Sequence, residues 1–127
     1  MARIVIVDDD DLLLDYASIA LTRAGHRVEV TRDAAEGLRL LDESDVDLLV
    51  TDIFMPMHDG LELLRQTRTL HPRLPILAMS GGGERVMIDY LAVARSFGAS
   101  GTLRKPFTPS LLTGKVASLL QTGAGAA

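Results

Sequence analysis

The chain has 127 residues, the size of one domain, and 47% of them are hydrophobic, enough for a core of its own. A net charge of −4 argues against binding nucleic acid or an anionic membrane through general charge, and the absence of cysteine excludes disulfides and thiolate metal sites. The N-terminus reads as strand rather than signal peptide, and no apolar run approaches the roughly 18 residues of a membrane span; the composition fits a cytoplasmic protein with no membrane insertion.

A first apolar run, Ile4-Val5-Ile6-Val7, ends at Asp8-Asp9. Asp11 to Ala24 then reads as a helix, with Leu13, Ala17, Ala20, Leu21 and Ala24 at helical spacing and Gly25 as its C-terminal cap. His26 to Val30 alternates and suits an edge strand, followed by a helix over Asp33 to Leu41. Leu48-Leu49-Val50-Thr51 is continuously apolar, as in a strand covered on both faces, and it ends at Asp52. The loop Phe54-Met55-Pro56-Met57-His58-Asp59-Gly60 leads to a helix over Leu61 to Leu70. Pro75 opens a fourth strand, Ile76-Leu77-Ala78-Met79, which ends at Ser80. Gly81-Gly82-Gly83 precedes a helix over Glu84 to Phe97. Gly101 to Arg104 forms a short fifth strand closed by Lys105-Pro106, and Thr108-Pro109 is an N-cap and first-turn pair for a last helix to Leu120. Strand and helix thus alternate five times, which favours a doubly wound α/β domain of three layers over 1–121, with a flexible small-residue tail over 122–127 and no linker to a second domain.

Four of the five apolar runs stop at a residue able to do chemistry. In parallel strands of one sheet those ends share an edge, the edge where open α/β sheets bind ligands. Each residue also has a plainer reading. Asp8 to Asp11 could cap the first helix, and Asp10 and Asp11 are assigned to cap and surface. Asp52 alone could be a loop acid, Ser80 a turn residue, and Lys105 a surface lysine. The triple glycine lacks the lysine of a phosphate-binding loop and is read as a turn. His26, His58 and His71 are scattered and read as surface residues, although His58, in the loop after Asp52, could tune a pH response.

Taken together, Val7-Asp8-Asp9, Asp52 with Met55-Pro56 and Asp59-Gly60 behind it, Ser80, and Lys105-Pro106-Phe107 resemble the receiver domains of two-component response regulators, and the likeness covers nearly the whole chain. The resemblance implies a flavodoxin-like five-stranded parallel sheet of order 2-1-3-4-5 and a cis peptide at Lys105-Pro106. It implies that Asp52 accepts a phosphoryl group from a sensor histidine kinase or a His phosphotransfer protein. It implies Mg²⁺ (or Mn²⁺) bound by Asp9 and Asp52, with Asp8 helping through water and the backbone carbonyl of Phe54 completing the set. Lys105 would balance the phosphoryl charge and the Ser80 hydroxyl would donate to it. The physics agrees: carboxylates about 5 Å apart repel by roughly 3 kcal/mol per pair at an effective dielectric of 20, which a hard cation relieves.

The family signals through a surface of helix four, strand five and helix five toward a downstream protein target; the chain is read as a stand-alone regulator of this kind, and whether its phosphorylated form dimerises stays open. Two departures stand out. Thr102 occupies the strand-five position where the family often has a switching aromatic. Phe54 and Gly82 occupy positions from which polar side chains help water attack the phosphoryl group, which suggests slow self-dephosphorylation. Helix four carries a broad apolar stripe (Val86, Met87, Tyr90, Leu91, Val93, Ala94, Phe97), read as core with a flank at Met87 and Leu91 that could dock a partner. Two further alternatives are a small haloacid-dehalogenase-like phosphatase using Asp8 and Asp10, and a receiver-like scaffold that never takes phosphate. The first leaves Asp52 and Lys105 without a role, and the intact acid set argues against the second.

Overall fold

The computed structural model of the chain describes residues 1–53, 60–81 and 90–126. Among the described residues five strands alternate with five helices: β1 (Arg3–Val7), α1 (Asp11–Arg23), β2 (Arg27–Thr31), α2 (Ala34–Glu43), β3 (Leu48–Asp52), α3 (Gly60–Leu70), β4 (Ile76–Ser80), α4 (Tyr90–Ser96), β5 (Gly101–Arg104) and α5 (Pro109–Ala126). The strands form one parallel sheet in the order β2-β1-β3-β4-β5, the flavodoxin-like arrangement expected.

The two-residue period of the strands divides the core between the two faces of the sheet. Ile4, Ile6, Leu48, Val50, Leu77, Met79 and Leu103 face Leu14, Ala17 and Leu21 of α1 and Leu112 and Val116 of α5. Val5, Val7, Leu49, Ile76 and Ala78 face Leu41 of α2, Leu63 and Leu64 of α3, and Ala94 of α4. β3, central and covered on both sides, is buried at all five positions, which is why its sequence shows no alternation.

Helix starts follow local chemistry. The Asp10 carboxylate accepts the Leu12 N–H and that of Asp33 the Ala35 N–H, each at 3.0 Å, while the Thr108 hydroxyl accepts the Leu111 N–H at 3.1 Å. Gly25, with φ +97°, turns the chain after α1 in the left-handed region that favours glycine. The second strand starts one residue later than the sequence suggests, because the ladder opens with Arg3 beside Arg27 while the His26 N–H bonds back to the Leu21 carbonyl. The last helix overruns its expected end at Leu120. Gly123 and Gly125 weaken a helix by about 1 kcal/mol each relative to alanine, but neither requires a break. The expected front part of helix four, with Val86 and Met87, lies outside the described residues.

Arg68, in the last turn of α3, straps the far end of this architecture. Its guanidinium donates to the Gly98 carbonyl at 2.8 and 3.0 Å, to the Pro72 carbonyl at 2.8 Å and to Ser100 Oγ at 3.3 Å. Ser100 Oγ in turn accepts the Ile76 N–H at 3.1 Å, so one side chain ties α3, the α4–β5 turn and the start of β4 together.

Candidate functional site

Strand register assembles the site. Val7 of β1 lies beside Thr51 of β3, so the next residues, Asp8 and Asp52, leave the sheet side by side. Ser80 lies beside Arg104, which brings Lys105 to the end of β4. The five strands are parallel, so these ends meet at one edge although they are up to 97 residues apart in sequence.

The side chains converge as that register requires. Lys105 Nζ donates to Asp8 Oδ2 at 2.8 Å and to Asp52 Oδ2 at 3.3 Å. Asp8 is fully buried, while Asp52 and Ser80 are 5% and 4% exposed. Asp9 is half-buried, and one carboxylate oxygen from each of Asp8, Asp9 and Asp52 lies within 4.8 Å of the others. This hard, all-oxygen donor set, partly open to solvent at Asp9, fits an oxygen-loving divalent cation. The peptide between Lys105 and Pro106 is cis, as expected.

Charge and burial oppose one another here. Burial pushes the Asp8 carboxyl above its ordinary value of 3.8, with the Asp9 charge adding to the rise, against hydrogen bonds from Lys105 and from the Asp10 N–H. For Lys105 burial works downward, but the hydrogen bond to Asp8 and the charges of Asp52 and Asp8 outweigh it and hold the ammonium above its ordinary 10.5. The site thus keeps its lysine charged beside an acid that resists ionising.

Asp10 and Asp11 stand apart. Asp10 caps α1, and Asp11 pairs at the surface with Arg32 at 3.5 Å. The second acid of the phosphatase alternative is therefore a cap. His26 and His71 are half-buried rather than free at the surface: His26 Nδ1 accepts the Ala2 N–H at 3.2 Å, and His71 Nε2 lies 3.2 Å from Asp42 Oδ1. Phe54, Met55, Pro56, His58, Asp59, Gly82 and Gly83 fall outside the described residues, as do the side chains of Tyr90 and Leu91.

Two contacts beside the site had no visible signal in the sequence. Tyr16 of α1 donates its hydroxyl to the Phe107 carbonyl at 2.8 Å, its ring tilted against Phe107 with centroids 5.9 Å apart, and so anchors the segment after Lys105. Thr102, the residue in place of an aromatic, accepts a hydrogen bond from Arg95 of α4 at 3.2 Å.

The family model of the response regulator receiver domain matches residues 4–117. The chain belongs to this family. The receiver domain is 30% identical over 123 residues to the transcriptional regulatory protein AfsQ1 of Streptomyces coelicolor, covering 97% of this chain and 53% of that protein. It is 34% identical over 119 residues to the response regulator MprA of Mycobacterium ulcerans, covering 94% of this chain and 50% of the relative. The receiver domain thus spans about half the length of the curated relatives it matches. It also superposes on a crystal structure of a response regulator receiver domain protein (CheY-like) from Methanospirillum hungatei with a TM-score of 0.90, at 28% identity, covering 100% of this chain and 99% of that one. Receiver domains belong to two-component signalling, in which phosphorylation on an aspartate is characteristic, and they signal rather than turn over a substrate as an ordinary enzyme does. Among the described residues no helix is long and apolar enough to cross a membrane.

Proposed function

We propose that Asp52 is the phosphoacceptor of this receiver, taking the phosphoryl group from a phosphohistidine of a sensor kinase or a His phosphotransfer protein in a Mg²⁺-dependent reaction. The observation that carries this reading is Lys105 Nζ seated between Asp8 and Asp52, at 2.8 and 3.3 Å, inside a cluster of three carboxylates. The Asp52 carboxylate attacks phosphorus, the bond to the donor nitrogen breaks, and that nitrogen keeps the electron pair. Asp8, Asp9 and Asp52 would hold the cation, with the Phe54 carbonyl as a further ligand implied by the family. Bound there, Mg²⁺ supplies the positive charge that lets an anionic phosphoryl group approach a carboxylate. Lys105 then shifts toward the new phosphoryl oxygens, and Ser80, at the end of β4, offers them a hydroxyl. Catalysis here is positioning and charge neutralisation.

In this reading the signal leaves through the face formed by α4, β5 and α5 toward a separate, cytoplasmic protein target, with the Arg95–Thr102 hydrogen bond standing where the family often has an aromatic switch. The apolar Phe54 and the bare Gly82 support slow self-dephosphorylation, and Phe54→Asn should speed decay of the phosphorylated form.

The direct test is incubation with a small acyl phosphate and Mg²⁺, then peptide mass mapping. Modification on the peptide carrying Asp52, lost in Asp52→Asn, is the expected result. A protein left unmodified by acyl phosphates and by phosphohistidine donors would overturn the reading.

A further inference from the structure

The last backbone bond between the ends of β4 and β5 runs from the Lys105 N–H to the Ser80 carbonyl oxygen at 2.9 Å. It fixes where the Lys105 side chain begins, beside Gly81. The aliphatic stem then runs directly across that residue. A Cβ built on Gly81 would stand 3.1 Å from Lys105 Cδ, 3.3 Å from Cβ and 3.6 Å from Cγ. Beyond the stem, Nζ reaches Asp8 and Asp52. The glycines with left-handed backbone among the described residues are Gly25 and Gly98, so backbone conformation does not call for glycine at 81. Space for the lysine does.

We propose that Gly81 is a positioning residue: its bare Cα is the seat of the Lys105 stem, and the missing side chain sets how far the ammonium reaches into the acid cluster. The inference deepens the phosphoacceptor reading and rests on it for its reaction arm alone. One methyl at 81 asks the stem to give by a few tenths of an ångström. A β-branched side chain lays further carbons over the path and turns the ammonium away. Two consequences follow in opposite directions. The acids, no longer held by Lys105, should take a divalent cation more tightly, because the competing positive charge has receded. Phosphoryl transfer should slow, because the charge that meets the incoming phosphoryl oxygens is displaced.

The experiment is a double-mutant cycle on the full chain with two readouts: calorimetric titration with Mg²⁺ alone, and the rate of phosphorylation by acetyl phosphate at saturating Mg²⁺. Gly81→Val should bind Mg²⁺ at least about threefold more tightly and react about tenfold more slowly, with Gly81→Ala between it and the unsubstituted protein. In a Lys105→Met background, Gly81→Val should change either quantity by less than about twofold, since the group it acts through is gone. Effects of Gly81→Val that persist in full without the lysine, or a variant indistinguishable from the unsubstituted protein, would overturn the proposal. If Gly81→Val does not fold, Gly81→Ala carries the same cycle, and its effects must likewise vanish with Lys105→Met. Failure of the unsubstituted protein to be phosphorylated would count against the phosphoacceptor reading, while the Mg²⁺ titrations would still decide the seat.

Discussion

Gly60 sits against Asp52 so closely that a Cβ on it would stand 2.2 Å from the Asp52 carbonyl oxygen and 2.6 Å from Ile53 Cα. The first turn of α3 is therefore pressed onto the backbone that presents the central acid. Neither backbone can yield the way a flexible side chain can. Gly60→Ala should cost about 3 kcal/mol, the upper part of the usual range for overpacking, in urea unfolding. It should also lower the phosphorylation of Asp52 in whatever fraction remains folded, because relief of the clash has to move β3 or α3.

Removing the lysine leaves a different defect. Asp8 is fully buried and Lys105 is its ammonium partner at 2.8 Å. Lys105→Met should destabilise the metal-free protein by about 3 kcal/mol at neutral pH, as expected when one member of a buried pair is deleted. The pH dependence has a definite sign. Burial already raises the Asp8 carboxyl, so its protonation favours the folded state; its contribution is complete below 3.8 and is lost as pH rises through the folded-state value. Without Lys105 that value rises further. The deficit of the variant relative to the unsubstituted protein should therefore shrink on acidification, as read by chemical denaturation at a series of pH values.

Carboxylate repulsion is not left wholly unrelieved when metal is absent, since Lys105 offsets one of three negative charges. Two remain. Mg²⁺ should raise the melting temperature, with about 2.7 kcal/mol of stabilisation at a hundred times its dissociation constant. Calorimetry across a Mg²⁺ series checks this, and no shift at millimolar Mg²⁺ would mean that the cluster does not bind it.

At the opposite end of the sheet, burial, with the N-terminal charge adding to it, holds the His26 imidazole below its ordinary 6.5. Its Nδ1 accepts the Ala2 N–H, a role only the unprotonated nitrogen can fill. Stability from neutral His26 is complete above pH 6.5 and is lost as pH falls toward the folded-state value. His26→Asn keeps an acceptor and removes the titration. Its stability should fall less than that of the unsubstituted protein between about pH 7.5 and pH 5.5.

Thr67 carries a buried hydroxyl that has no hydrogen-bond partner among the described residues, and its side chain is fully enclosed on the inner face of α3. An enclosed polar atom without a partner costs free energy that an isosteric methyl does not. Thr67→Val should stabilise the domain by about 1 kcal/mol, measured as a shift of the urea midpoint at unchanged slope.

The fold was readable because its signals are local and repeated: β3 with no alternation, Asp10 and Asp33 before helices, Gly25 after one. The acids and the lysine were readable because each ends a strand, and parallel strands bring such ends together whatever their distance along the chain. What stayed hidden depends on how elements lie across one another. Nothing near Tyr16 announces Phe107, 91 residues away, and nothing near Arg68 announces Gly98. Gly81 looked like part of a loose turn, because the lysine stem that needs its space arrives from another strand. The cap at Asp10 shows the reverse case, in which a purely local role competed with a chemical one and local geometry decided it.

The grip of Arg68 on Gly98, Pro72 and Ser100 has a mechanical consequence. It clamps the turn joining α4 to β5 at the end of the molecule away from Asp52, while Arg95 and Thr102 touch through a single hydrogen bond at 3.2 Å. A displacement of α4 should therefore turn about that guanidinium like a lever about its fulcrum, with the travel smallest at Ser100 and growing toward Tyr90.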